Sequence, residues 1–160
     1  MSKLETINNH FEFDYPLLER RKSPVLIILH HSGTKEDTPQ KIHKAHKRRG
    51  FSGIGYHYVV DKEGNVFVGR PLDKIGAHCK HNNNYSVGIC LIGDFRYEQP
   101  TNEQMESLRL LVIDVLRRYP TIKRILNHRD LMPTICPGVD LAEMLGILRQ
   151  EKGGDRDDQG

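Results

Sequence analysis

Val25 to His30, VLIILH, is the stretch from which the fold is read. It is a continuous run of branched apolar side chains with Pro24 before it and Ser32-Gly33 just beyond it. A run this short with no polar alternation is buried on both faces, and such a strand belongs inside a sheet that carries helices on either side. His30 is its first polar residue and stands where the strand leaves the core.

Working outward, Thr38-Pro39 pairs a capping residue with a proline at the first helical position. They open a helix that runs to about Arg49 and stops at Gly50, with a basic face of Lys41, Lys44, Lys47, Arg48 and Arg49. Gly55 to Val60 (GYHYVV) and Asn65 to Gly69 (NVFVG) read as strands joined by the short connection Asp61-Lys62-Glu63-Gly64. An irregular segment rich in Asn and His, Gly76 to Tyr85, feeds a second buried strand, Ser86 to Gly93 (SVGICLIG). Polar loops that lead into core strands are favoured places for sites.

Thr101 caps an amphipathic helix over Asn102 to Tyr119, whose apolar face is Met105, Leu108, Leu111, Val112 and Val115. After Pro120 come a short strand, Arg124 to Asn127, a loop from His128 to Pro137, and a last helix from Asp140 to Gln150. The tail, residues 151–160, reads EKGGDRDDQG and is expected to be disordered. This order predicts an α/β protein, a single domain at residues 25–150 with a central mixed β-sheet flanked by helices, preceded by an N-terminal extension at 1–24.

Composition agrees with one ordinary core. A chain of 160 residues buries roughly two-thirds of its unfolded surface, and 37% hydrophobic with 28% charged residues excludes a disordered or membrane class. No apolar h-region follows the N-terminus, so synthesis in the cytoplasm without a signal peptide is expected, and no stretch is long enough for membrane insertion. Three cysteines, Cys79, Cys90 and Cys136, leave at least one thiol unpaired. The net charge is +3; the last ten residues hold four acids and two bases, which leaves the body at +5. That excess attracts polyanions, cell-wall polymer and nucleic acid alike.

Nine histidines are several times the ordinary share. His30 ends a central strand and His128 follows a short one, and loops leave both, which is how distant segments bring side chains to one pocket. Cys136 lies eight residues beyond His128 and precedes Pro137-Gly138. Two imidazoles and a thiolate with an open fourth position form a catalytic zinc arrangement. Taken singly, a histidine such as His30 is more often a hydrogen-bonded structural residue and a cysteine such as Cys136 more often a small buried hydrophobe, and no HExxH-type signature is present.

Five blocks carry a resemblance: LHHSGT (Leu29 to Thr34), HKRRGFSGIGYHYVV (His46 to Val60), GNVFVGR (Gly64 to Arg70), GAHCKHNNNYSVGICLIGDF (Gly76 to Phe95) and NHRDLMPTICPGVDL (Asn127 to Leu141). In this order, over about residues 25 to 145, the chain resembles the type 2 N-acetylmuramoyl-L-alanine amidases, the family of T7-type phage lysozymes and animal peptidoglycan recognition proteins. The resemblance implies their fold, one zinc ion, and His30, His128 and Cys136 as its ligands. It places the tyrosine that stands beside the metal at Tyr56, in GYH. Thr134 occupies the position where the phage enzyme has a catalytic lysine and the animal amidases a threonine. His78 in GAH, Asn83 and Arg70 in VGR are the implied substrate contacts, although Arg70 also reads as a hairpin-ordering residue and Asn83 as a loop former.

The implied reaction is hydrolysis of the amide between the N-acetylmuramoyl lactyl group and L-alanine of peptidoglycan, by zinc-activated water, in a phage or prophage endolysin. Tyr56, helped weakly by Thr134, is the expected stabiliser of the oxyanion. The partner expected is peptidoglycan, with no nucleic acid, and the protein is expected to be a monomer. Competing readings are a non-catalytic peptidoglycan-binding module, which typically lacks the ligand cysteine, a metal-free hydrolase with Cys136 as nucleophile, and a nucleic-acid surface on the basic helix. His31 and His57 are expected to face away from the site by strand alternation, His46 to pack, and His10, His43 and His81 to lie on the surface.

Overall fold

The computed structural model describes residues 4–14 and 18–147. In chain order its elements are β1 (Thr6–Asn8), β2 (Leu26–His31), α1 (Pro39–Arg48), β3 (Tyr58–Val60), β4 (Val66–Val68), β5 (Ser86–Leu91), α2 (Asn102–Arg118), β6 (Arg124–Asn127) and α3 (Leu141–Leu145). Among the described residues, 3₁₀ turns at Asn83–Tyr85 and His128–Asp130 stand before β5 and after β6. The sheet is mixed, six strands in the order β1-β4-β3-β5-β2-β6. β3 and β4 pair antiparallel, and the other neighbouring strands run parallel.

Strand alternation divides the core into two layers. Ile27 and Leu29 of β2, Val87, Ile89 and Leu91 of β5, and Tyr58 and Val60 of β3 pack against Leu108, Leu111, Val112 and Val115 of α2 and Leu141 and Leu145 of α3. On the other face Val59 and Cys90 meet Ile42 of α1 with Phe13, Ile54 and Ile92. The VLIILH strand therefore has β5 on one side, β6 on the other, and a helical layer over each face. Its odd apolar residues hold α2, and its even positions, ending in His30, point toward the α1 layer.

Caps set the helix ends. Thr38 accepts from the Lys41 amide with Pro39 in the first turn of α1, and Thr101 with Gln104 forms a reciprocal capping box on α2. The last helix ends earlier than its sequence pattern, because Gly146 adopts the left-handed conformation at φ 61° and closes α3 after Leu145. Residues 148–160, with the rest of that expected helix and the acidic tail, lie outside the described residues. β1 lies within the stretch read as an extension: its three residues are all exposed and offer no hydrophobic alternation, yet it pairs in parallel with β4. Among the described residues no helix is long and apolar enough to cross a membrane, and Cys79, Cys90 and Cys136 are all free thiols.

Candidate metal centre and groove

The register of two parallel strands builds the site. Leu29 of β2 lies opposite Asn127 of β6, so the next step along both chains brings His30 to His128, with ring centroids 4.6 Å apart. Asn127 secures that exit: its Nδ2 donates to Asp140 Oδ1 at 2.7 Å, its Oδ1 accepts from the Ala142 amide at 3.1 Å, and its own amide donates to Asp130 Oδ2 at 2.8 Å. The loop then returns Cys136 to the same point. Its carbonyl accepts from the Arg129 amide at 2.8 Å, and its Sγ accepts from the His31 amide at 3.3 Å. One ligand atom from each of His30, His128 and Cys136 lies within 4.8 Å of the others.

The donors are matched in charge state. Burial, then the neighbouring His78 and His128, holds the His30 imidazole well below its ordinary pKa, and burial also lowers that of His128. Burial pushes the Cys136 thiol up to about 11. Both imidazoles thus keep a lone pair at neutral pH, and the thiol gives up its proton readily only to a cation that takes its place. Two neutral nitrogens and one sulfur that can converge on one ion fit zinc.

Tyr56 stands beside them, its ring 5.0 Å from His30 and 5.4 Å from His46. Burial, and then Cys90 and Cys136, raises its phenol well above the ordinary value, so it remains an O–H donor. Two adjoining grooves meet at Tyr56, His46 and Arg49. One, of about 570 Å³, is lined by Phe51, Ala77, His78, Asn83, His128 and Met132. The other, of about 430 Å³, is walled by Lys41, Lys44, Arg48 and Arg49 with Asp37 as its one acid.

His30, His128, Cys136, Tyr56 and His78 are therefore brought together. Asn83 lines the groove, while its Oδ1 is taken up by the amides of His78 and Cys79, at 2.9 Å each. Thr134 sits in the turn that carries Cys136, where its Oγ1 accepts the Cys136 amide at 3.2 Å. Arg70, also expected as a substrate contact, is not in the lining of either groove. It is buried behind the groove, and its Nε, Nη1 and Nη2 donate to the carbonyls of Ile54, Ile75 and Gly53 at 3.0, 2.9 and 3.2 Å. Burial lowers its guanidinium to about 10.

His31 and His57 do not join the centre: His31 Nδ1 accepts from the Phe95 amide, and His57 is held between Lys74 O and the Gly88 amide. His43, expected on the surface, is buried, stacked on Phe11 and accepting from the Ile54 amide at 2.9 Å. His46, expected only to pack, also lines both grooves. Its Nδ1 accepts from the Gly55 amide, and burial lowers its pKa to about 4, so its Nε2 carries the proton as a neutral donor. The signal for both was present: Pro39, Ile42, His43 and His46 follow the i, i+3, i+4, i+7 pattern of a buried helix face, concealed because histidine counts as polar.

The family model described as N-acetylmuramoyl-L-alanine amidase matches residues 20–139. An endolysin of Klebsiella phage KP32 is 34% identical over 130 residues, covering 76% of this chain and 85% of the phage protein. The solved structure of N-acetylmuramoyl-L-alanine amidase LysC from Clostridium intestinale URNW is 33% identical, with a TM-score of 0.83 over 89% of this chain and 98% of its own. A Drosophila PGRP-LB mutant in complex with tracheal cytotoxin is 25% identical with a TM-score of 0.78, covering 88% of this chain and 92% of the other.

Proposed function

The chain belongs to the N-acetylmuramoyl-L-alanine amidase family, and from that premise we propose that it hydrolyses the amide between the lactyl group of N-acetylmuramic acid and L-alanine, as a zinc-dependent enzyme acting on cell-wall peptidoglycan in the manner of a phage endolysin. The observation that carries the reading is the convergence of His30, His128 and Cys136 beside Tyr56 at the groove. Those three residues would hold the metal. Bound there, zinc supplies Lewis acidity that polarises a carbonyl and makes water acidic enough to act as a nucleophile near neutral pH.

The chain's own residues do the rest. Tyr56 keeps its proton at working pH and donates to the carbonyl oxygen as charge develops on it. Thr134 offers the hydrogen of a hydroxyl whose oxygen is already engaged by the Cys136 amide, a neutral donor where a lysine would bring charge. His46 presents Nε2–H where the two grooves meet. The wall of Lys41, Lys44, Arg48 and Arg49 favours the carboxylates of the stem peptide.

The test is fragment analysis of peptidoglycan incubated with purified protein. New N-terminal L-alanine and free lactyl carboxylates are expected, with activity lost to EDTA and restored by zinc. New reducing sugar ends in their place would make the protein a glycosidase, and activity that ignores chelator but yields to iodoacetamide would make Cys136 a nucleophile. Tyr56→Phe is expected to lower the rate by roughly 10²–10³-fold with zinc retained, whereas Cys136→Ser loses both zinc and activity.

A further inference from the structure

We infer that His78 is a positioning residue that fixes the tautomer of His30, so that His30 presents its Nδ1 lone pair to the metal. The inference rests on the metal-site reading above and follows from counting protons along one chain of hydrogen bonds. The Ser86 hydroxyl donates its single hydrogen to the Asn82 carbonyl at 2.7 Å. Its oxygen also lies 3.2 Å from His78 Nε2; with its proton spent, Ser86 accepts, and Nε2 of His78 is the donor. A neutral imidazole has one N–H and one lone pair, so His78 Nδ1 is an acceptor. His30 Nε2 is 2.9 Å from that Nδ1, so His30 carries its proton on Nε2. Its Nδ1, 3.8 Å from Cys136 Sγ, is the free lone pair.

The position of the His78 ring is itself built. A Cβ at Gly88 would stand 2.5 Å from His78 Cγ, and one at Gly76 would stand 2.7 Å from His78 Cδ2, so the two glycines form a slot that only a missing side chain leaves open. The Asn83 side chain holds the backbone on either side by accepting the amides of His78 and Cys79. Both ring nitrogens of His78 have partners inside the protein, which leaves none for substrate. A metal-bound histidine usually donates its second N–H to a carboxylate or carbonyl; here a second imidazole receives it, and the Asn82 carbonyl at the far end sets the direction of the whole relay.

Zinc affinity, measured by competition with a chromogenic chelator, tests this apart from activity. His78→Phe is expected to weaken zinc binding roughly 10–100-fold with the thermal transition of the metal-free protein retained, and His78→Asn, whose Oδ1 replaces the accepting nitrogen, to keep most of the affinity. A His78→Phe protein with unchanged zinc affinity and a raised KM would overturn the inference in favour of substrate contact. Should that variant not fold, long-range ¹H–¹⁵N spectra of the native protein decide: a proton on Nε2 of both His30 and His78 is expected, and a proton on His30 Nδ1 overturns it. Because the spectrum is read on metal-free protein, failure to bind zinc at all would defeat the proposed function while the tautomer is still determined.

Discussion

Arg70 illustrates how a single side chain changes role once its surroundings are known. In the sequence VGR it is a cation between two loops and open to substrate; in the fold its guanidinium ties together the carbonyls of Gly53, Ile54 and Ile75 and lies over the Phe13 ring, 5.6 Å from its centroid. Removing the donors leaves those carbonyls poorly solvated. Arg70→Met, of similar length, is therefore expected to cost about 2–4 kcal/mol, read from urea unfolding, with KM for peptidoglycan unchanged in the folded enzyme. A raised KM at native stability would return Arg70 to the substrate. The candidate ligands His30, His128 and Cys136 were implied instead by resemblance to a family, and their ligand atoms lie within 4.8 Å of one another. The partners of Arg70 are backbone atoms, which every residue possesses, and so leave no mark in sequence.

At the scale of elements, the capping box of α2 was half legible. Thr101 and Gln104 have the spacing that caps a helix, and the structure keeps both bonds. What the pattern does not reveal is that Gln104 is fully buried and that its Nε2 also donates to the carbonyls of Val60 and Ile92, at 3.1 and 2.8 Å, where β3 and β5 end. One amide thus ties the start of α2 to the sheet. Gln104→Leu is expected to cost about 1–3 kcal/mol, and Gln104→Glu more, because a buried carboxylate would face two carbonyl oxygens. Thermal unfolding ranks the three proteins, and a loss for Leu with none for Glu, which still accepts from the Thr101 amide, would mean that the cap alone matters. The hidden face of α1 belongs to the same lesson: its period was regular, but two of its four buried positions are histidines.

For the molecule as a whole, the abundance of histidine becomes a liability in acid. His57 donates Nε2–H to Lys74 O and accepts the Gly88 amide on Nδ1, so a second proton has no acceptor. Burial lowers its pKa to about 3 and that of His46 to about 4, from 6.5. Between those values and 6.5 the unfolded chain binds protons that the folded chain does not; stability is full above about 6.5 and is lost as pH falls. At pH 5 His57 alone is expected to cost about 2 kcal/mol, a drop in Tm of roughly 4–8 °C. Calorimetry of the metal-free protein at pH 7 and pH 5 measures it, and a Tm that does not fall would contradict the buried, neutral state of these rings.

Taken alone, the sequence determined the α/β class, the central strand ending in His30 and the helix carried by Leu108 to Val115, because hydrophobic period and capping residues are local properties of a chain; the trio His30, His128 and Cys136 came from resemblance to a family, not from the local chemistry of each residue. Tertiary structure alone decided the pairing of β1, the burial of His43, the withdrawal of Arg70 from the groove and the direction of the His30–His78–Ser86 relay. Each of these depends on contacts between segments far apart in sequence, such as the side-chain bonds that join residues 11, 16, 48 and 106 positions apart, and a polar atom acquires its donor or acceptor role only from the partner that packing sets against it.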